Sequence, residues 1–525
     1  MSNSQIDWCH DCNVPLISIR CNLCRGGGEI LVADLKPVFA PERELYLREL
    51  SKEHSKPILP TSLFRFKNKI IGEGKLLFDF HVNGDGLEFD LKETLEPTEF
   101  RRDKDSLKQM LCANRKTLEK KESEAIKFIK ETARHHRDKH IVVSFSGGKD
   151  STVTAYLVKK ALGEVTLLFS NTGIEFPETV KFTKEFAEKM GLELIEIHPV
   201  RRFMVLCEEL GPPSRMMRWC CFTQKSAPIN TFYAELDKEV LSFDGIRKSE
   251  SRSRAKFERS RKNTKIIRQH SAYPIFEWSD FEVWLHILFR KIPINPLYQE
   301  GYARIGCWAC PNNGKFDDFL LSKTHPNLSR KWIDFLLDYA EENGKTPDWV
   351  FSGKWKQRRT KYEKFEVCSV RSTCTVGNEF LFVLRDNKFS RDKLEFFKVF
   401  GKEIVKDVGD EKLVQIIGPK VTIASVVNGN TMRVRFNDEE CFNRSVFEVK
   451  KQLEKALNCV KCEACVGSCP FGAIEVNDNL RINEDKCKNC LVCVTSKHLK
   501  QSCVALHYKS KRNVVEAPSI GLRIS

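Results

Sequence analysis

The sequence predicts an α/β fold with a parallel sheet covered by helices on both faces, extended by small metal-binding and β-rich appendages. Three observations lead there. From residue 140, short apolar stretches alternate with amphipathic stretches long enough to cross a sheet. The first apolar stretch runs directly into "SFSGGKDS" (144–151), a glycine turn opening a helix. Finally, the 21 cysteines gather in spaced groups at both ends and around the core, as small metal-stapled units do.

Each core element follows from its own residues. "HIVVSFS" is apolar and β-branched, hence a buried strand, and "TVTAYLVKKAL" has helical periodicity. Strand "EVTLLFSNT", helix "PETVKFTKEFAEKMG" and strand "LELIEIHPV" continue the alternation. A strand, a glycine turn and a helix N-terminus make an anion site, because the first helical N–H groups lack partners within the helix. The spacing is not that of G-x-x-x-x-G-K-[ST] loops.

Upstream, residues 1–55 form a knuckle region. Residues 56–125 mix strand-like and helical stretches, and "KQMLCANRKTLEKKESEAIKFIKETARHH" reads as one long helix entering the core at 126–315. Residues 316–364 read as helical. Residues 365–450 read as short strands with turns at Gly418–Pro419 and Asn428–Gly429, and 451–525 hold a cysteine module and tail.

Over 525 residues the chain is 41% hydrophobic, enough for sizeable cores, and no run nears the roughly 20 apolar residues that span a bilayer. The opening "MSNSQIDWCHDC" lacks the layout of a secretion signal, so a cytoplasmic protein with reduced cysteines is expected. The net charge of +16 points to an anionic partner: a nucleotide, an RNA or an acidic protein.

The cysteine spacing is more specific. Cys9, Cys12, Cys21 and Cys24 form two C-x-x-C knuckles eight residues apart, suited to a closed four-sulfur site for zinc or a single iron. "CVKCEACVGSCP" is C-x2-C-x2-C-x3-C-P, and Cys487, Cys490 and Cys493 start a second run. Adjacent Cys220 and Cys221 chelate one ion poorly; together with Cys307 and Cys310 they favour a [4Fe–4S] cluster held from two loops.

Two resemblances sharpen this. The C-terminal runs resemble a two-cluster bacterial-type ferredoxin. That likeness implies one [4Fe–4S] on Cys459, Cys462, Cys465 and Cys503, and another on Cys469, Cys487, Cys490 and Cys493. The nine-residue gap before Cys503 departs from the usual three. Residues 140–315 resemble the sulfonucleotide (phosphoadenylyl-sulfate and adenylyl-sulfate) reductases, with an adenine nucleotide alpha hydrolase-like core. "SGGKDS", "NTGIEFPET", "GIRKSESRSRA", "YPIFEWSDFEVW" and "NPLYQEGYARIGCWAC" match that family's segments in order. The resemblance implies that Ser146, Gly147, Gly148 and Ser151 cradle phosphate, with Lys149 as a nearby cation and Asp150 in the same loop. It places Asn171, Thr172 and Gly173 in the nucleotide site. Arg247, Ser251 and Arg254 would bind sulfate or a ribose phosphate. Cys220, Cys221, Cys307 and Cys310 fall where the cluster-bearing branch has its ligands, giving three [4Fe–4S] clusters besides the N-terminal ion.

The family's nucleophilic cysteine lies in a C-terminal E-C-G-[IL]-H segment, which this sequence lacks. Sixteen of the 21 cysteines are assigned above; of the rest, Cys368 and Cys374 are the candidate nucleophiles, and Cys112, Cys207 and Cys441 read as small buried hydrophobes. The expected function is reduction of a sulfonucleotide to sulfite and an adenosine phosphate in sulfate assimilation. Electrons would come through the ferredoxin-like module from an external donor protein, in a homodimer or hetero-oligomer. The alternative is ATP-dependent sulfur insertion into tRNA or DNA, and only then would nucleic acid be a partner. No membrane partner is expected.

Overall fold

The computed structural model describes residues 5–54, 57–93, 105–358, 370–374, 379–384, 387–437, 442–495 and 503–504. The chain divides into two compact units: residues 1–197, 238–263 and 269–338, and residues 198–237, 264–268 and 339–525. Among the described residues, no helix is long and apolar enough to cross a membrane.

The first unit opens with β1 (Ile6–Cys9), β2 (Val14–Leu16) and β3 (Glu29–Val32), an antiparallel sheet in the order β2-β1-β3. A second antiparallel sheet contains β4 (Lys36–Pro37), then, after α1 (Ala40–Leu50), β5 (Leu63–Phe66), β6 (Lys69–Gly72), β7 (Lys75–Asn83) and β8 (Gly86–Leu91). Trp8, Cys9 and Leu16 of the first sheet share one core with Phe64 and Ile71 of the second and with the start of the long helix α2 (Ser106–His135). The knuckle and the stretch up to 125 are therefore packed together, which the sequence boundary at residue 55 did not anticipate. Glu122 fastens α2 from within: its buried carboxylate accepts from Arg290 Nε at 2.8 Å and pairs with Lys160.

The central sheet follows: β9 (His140–Ser144), α3 (Lys149–Leu162), β10 (Thr166–Ser170), α4 (Pro177–Met190) and β11 (Leu194–Ile197). The chain then contributes α5 (Phe203–Leu210), α6 (Trp219–Cys221), a π-helical turn (Phe222–Ser226) and α7 (Ala227–Glu235) to the second unit. It returns with β12 (Val240–Asp244), β13 (Ser260–Lys262), β14 (Gln269–Ala272) and α8 (Asp280–Arg290). The order is β11-β10-β9-β12-β14-β13, parallel except for β13 at the edge. The charged stretch around 260 thus includes an edge strand. Strand order reverses between β9 and β12, and the crevice beyond their carboxyl ends is where ligands of such sheets bind. Phe145, Val153, Leu157, Phe186, Phe243 and Trp284 fill the core beneath it, and a fully buried side chain of this size contributes about 1.5–3 kcal/mol.

Helices α9 (Lys315–Thr324) and α10 (Pro326–Glu342) follow, as the sequence indicated. The second unit continues with α11 (Pro347–Phe351), β15 (Val370–Cys374), β16 (Glu379–Leu384), α12 (Arg391–Glu395), β17 (Lys402–Val408), β18 (Glu411–Ile417), β19 (Val421–Val426), β20 (Thr431–Phe436) and α13 (Phe442–Asn458). Its sheet is antiparallel, in the order β15-β16-β20-β19-β18-β17. The expected turns at Gly418–Pro419 and Asn428–Gly429 join β18 to β19 and β19 to β20. Val421, Ile423, Met432, Val434 and Phe436 alternate inward and meet α13, β21 (Ile474–Val476), β22 (Leu480–Ile482) and Val494 of α14 (Val492–Thr495) in one core. The β-rich and cysteine-module stretches are therefore not separately packed.

Candidate nucleotide site and cysteine centres

The glycine turn lies at the carboxyl end of β9. Gly147 has φ +70°, and a Cβ there would approach Thr179 Cγ2 and Thr183 Cγ2 to 3.1 Å. Gly148 is the N-cap of α3. Ser151 Oγ accepts from Ser146 N–H at 3.2 Å, lies 3.2 Å from Ser146 Oγ and donates to Gly148 O at 2.9 Å, so the turn closes on itself. Lys149 N–H donates to Tyr298 Oη at 2.8 Å. Beyond β12, a Cβ on Gly245 would fall 2.6 Å from Asp150 C, so only glycine lets this loop lie against the turn.

Two of the three cations assigned to this site, Lys149 and Arg247, are engaged with carboxylates. Lys149 Nζ sits 2.9 Å from Asp150 Oδ2 and 2.9 Å from Asp280 Oδ1. Arg247 reaches Asp150 Oδ1 through Nε and Asp280 Oδ1 through Nη2, each at 2.6 Å. Both side chains are about 95% buried. The resemblance implied Lys149 as a nearby cation and Arg247 as a binder of sulfate or a ribose phosphate; the structure places both in a four-membered ionic lattice that braces the turn against α8. Asp280 was missed as a member, although the capping box of Ser279 and Glu282 on the same helix turn is readable in the sequence. Asp34 accepts from the N–H groups of Asp280 and Phe281, each at 2.9 Å, and so ties the N-terminal region to this helix start. Ser251 is exposed, and Arg254 pairs with Glu250.

Burial alone would raise the Asp150 carboxyl, but Lys149 and Arg247 overcome it and hold the group at about 2. The linkage sign follows. A depressed carboxyl contributes stability that is fully present above about pH 4 and is lost as pH falls through about 2. Asp150→Asn should flatten that acid limb in denaturation midpoints measured from pH 5 to pH 2.

Asn171, Thr172 and Gly173 follow β10 on the same edge of the sheet. Asn171 Oδ1 accepts from Gly173 N–H at 3.0 Å. Thr172 Oγ1 lies 3.7 Å from Cys307 Sγ, whose thiol donates to Glu175 Oε1 at 3.7 Å, and Trp308 N–H donates to Ile174 O at 3.0 Å. The C-x-x-C loop is thereby laced to a strand-end loop of the candidate nucleotide crevice. The same loop is held from behind: the Gly301 carbonyl accepts from Arg65 Nη1 at 2.8 Å and Lys36 Nζ at 3.2 Å, and both cations pair with the fully buried Glu42.

A match to the phosphoadenosine phosphosulfate reductase domain family covers residues 140–313, from β9 through the C-x-x-C loop. The matched stretch is about a third of the chain. An uncharacterized protein of Methanocaldococcus jannaschii is 38% identical over 48% of this chain, and the match spans 52% of that relative's length. Adenosine 5'-phosphosulfate reductase of Salinibacter ruber is 25% identical over 31% of this chain and 64% of its own. The crystal structure of phosphoadenylyl-sulfate reductase from Candida auris covers 35% of this chain and 89% of its own, at 19% identity and a TM-score of 0.28.

Within residues 140–313, Cys307 and Cys310 belong to the first unit, whereas Cys220 and Cys221 stand on α6 in the second. Hydrogen bonding from Cys220 lowers the Cys221 thiol to about 6 against burial, helped by Lys225, Arg218 and Lys265.

Outside the domain, the sulfurs of Cys9, Cys12, Cys21 and Cys24 all lie within 4.8 Å of one another. Four ligands at about 2.3 Å around a tetrahedral ion put their sulfurs roughly 3.8 Å apart. The observed Cys9–Cys24 and Cys12–Cys21 separations of 3.4 and 3.7 Å fit that size. Asn13 and Arg25, each just past a knuckle, have φ of +53° and +65°, and Gly26 N–H donates to Cys24 Sγ at 3.3 Å. These four cysteines could hold a metal ion.

The C-terminal runs share a backbone path. Lys461 and Glu463 flank Cys462 at φ +52° and +56°, and Asn489 and Leu491 flank Cys490 at +50° and +56°. These four non-glycine residues are strained by about 1–2 kcal/mol each. The thiols of Cys459, Cys462, Cys465 and Cys503 influence one another electrostatically, as do those of Cys469, Cys487, Cys490 and Cys493. Cys465 also feels Cys493 of the second set, and these cysteine-rich segments could bind metal clusters.

Cys368 lies outside the described residues, and Cys374 is placed only as the last residue of β15. Cys207 is fully buried, Cys112 is partly exposed, and Cys441 lies outside the described residues.

Proposed function

We propose that the domain binds a sulfonucleotide in the crevice between β9 and β12 and reduces it to sulfite and an adenosine phosphate. The observation that carries this reading is the contact of Cys307 with Thr172 and Glu175, which sets a candidate cluster ligand beside the nucleotide loops. The N–H groups in the first turn of α3, apart from that of Lys149, which Tyr298 accepts, take the anionic phosphate. Lys149 and Arg247 act mainly by keeping Asp150 neutralised, so that its carboxylate does not repel that anion. A [4Fe–4S] cluster at this domain would supply one-electron chemistry beside the substrate. The N-terminal knuckles hold one zinc or iron ion in a structural role, and the C-terminal sets hold two [4Fe–4S] clusters fed by an external electron donor protein.

Anaerobically purified protein given labelled phosphoadenylyl sulfate or adenylyl sulfate with reductant should release sulfite. If Cys368 or Cys374 supplies the attacking thiolate, their double serine variant loses that release; full turnover in the variant removes them from the reaction.

The second reading is ATP-dependent sulfur insertion into tRNA or DNA. The absence of an E-C-G-[IL]-H segment and the net charge of +16 favour it. RNA-dependent formation of AMP and pyrophosphate from ATP, without sulfite, would establish it instead.

Removing the knuckle ion gives a separate check. Cys12→Ser should lower metal content by one ion per chain and expose residues 5–33 to limited proteolysis, with C-terminal iron unchanged.

A further inference from the structure

One small cavity in the second unit lies between segments next to two cysteine groups that are far apart in the sequence. Its walls include Phe222, which follows Cys221, and Ala464, which lies between Cys462 and Cys465. Ala227 and Asn230 of α7 and Gly467 and Ser468 complete the contact. The approach is close: a Cβ on Gly467 would fall 2.4 Å from Asn230 Cβ. Asn230 is rigidly held, donating to Ser226 O at 2.9 Å and Lys265 O at 3.0 Å and accepting from Ile267 N–H at 2.9 Å. A second tie lies nearby, where Arg201 Nη1 donates to Val460 O at 3.3 Å and Gln224 Nε2 donates to Arg201 O at 3.2 Å. Nothing in a ferredoxin-like module by itself requires its first cysteine run to be seated on the helix that follows Cys220–Cys221.

We propose that the contact of residues 464–468 with α7 is an electron-transfer junction, which orders the centres. The set Cys469, Cys487, Cys490 and Cys493 is the entry centre, the set Cys459, Cys462, Cys465 and Cys503 is the relay, and iron bound at Cys220–Cys221 is the acceptor. The exposure of Cys490 suits the entry role. Lys455, 3% exposed and donating to Cys493 O at 2.8 Å, lies within electrostatic reach of both Cys465 and Cys493, so one buried cation stabilises an added electron on either C-terminal centre. Electrons move singly: an external one-electron carrier protein is oxidised, each C-terminal centre is reduced and reoxidised in turn, and the Cys220–Cys221 centre ends reduced by one electron per passage. The glycine at 467 is what permits the short approach, because any side chain there must push the module off Asn230.

This inference rests on the reading that these cysteines carry iron–sulfur clusters and is independent of which nucleotide is the substrate. The test uses the full anaerobic chain without nucleotide. In the unmodified protein, partial reduction should give EPR lines split by magnetic interaction, and Cys221→Ser should remove one component of that splitting. With a reduced ferredoxin as donor, rapid-freeze EPR of Gly467→Leu should show the C-terminal signals at their usual rate and the Cys221-dependent signal at least tenfold slower. Asn230→Leu, which alters the opposite wall and no ligand, should give the same split. Unchanged rates in both variants, or a spectrum of the unmodified protein with no Cys221-dependent interaction, overturn the junction. Absence of iron from the purified chain overturns the cluster reading itself, so the two failures are distinguishable. If either variant loses iron, the spectrum of the unmodified protein decides.

Discussion

Arg247→Ala should destabilise the first unit by about 3–5 kcal/mol and abolish nucleotide binding. Removing the guanidinium leaves the Asp150 and Asp280 carboxylates, 18% and 25% exposed, with Lys149 as their remaining partner. Breaking a buried pair from one side costs that much because a charge is stranded without solvent. Lost binding follows from position: Asp150 is the second residue of α3, and an uncompensated carboxylate there opposes any anion at the turn. Arg247→Lys should recover part of the stability, since a shared positive charge remains but the planar fork that reaches both carboxylates through Nε and Nη2 is lost. Ser251→Ala, at an exposed position in the same loop, should stay within about 0.5 kcal/mol. Urea denaturation and equilibrium binding of adenylyl sulfate read both effects. Equal stability of Arg247→Ala and the unmodified chain would refute the ionic lattice.

Glu42→Ala should have a comparable effect on stability and a distinct effect on iron. Its carboxylate is 0% exposed and holds Lys36 Nζ at 2.7 Å, Arg65 Nη1 at 2.6 Å and Tyr46 Oη at 2.8 Å. Without it two buried cations face each other, again a loss of about 3–5 kcal/mol. Both cations also donate to the Gly301 carbonyl, and a Cβ at Gly301, whose φ is +105°, would meet Glu42 Cγ at 3.2 Å. The loop leading to Cys307 should therefore loosen, and iron lost on gel filtration should rise relative to Ser251→Ala. Replacement by Gln keeps the shape but not the charge, and should lie between the two. Iron retention equal to the unmodified chain, with stability lost, would confine Glu42 to a purely structural part.

The sequence by itself determined the local features: the alternation behind β9 to β11, the glycine turn, the long helix α2, the hairpin turns of the β-rich region and the cysteine spacings. These depend on residues close in the chain, where periodicity, backbone freedom and ligand spacing act directly. Tertiary structure alone decided how cations were used and which centres meet. The motif puts Lys149 and Arg247 near one turn, but only the fold brings Asp280 between them as a shared partner. Glu42 looks like a surface residue of α1 until Arg65 and Gly301 close over it. Asn230 and Gly467 carry no motif; only the fold seats one on the other. Charge in a low-dielectric interior is settled by whichever partners long-range packing supplies, and no local pattern encodes that choice.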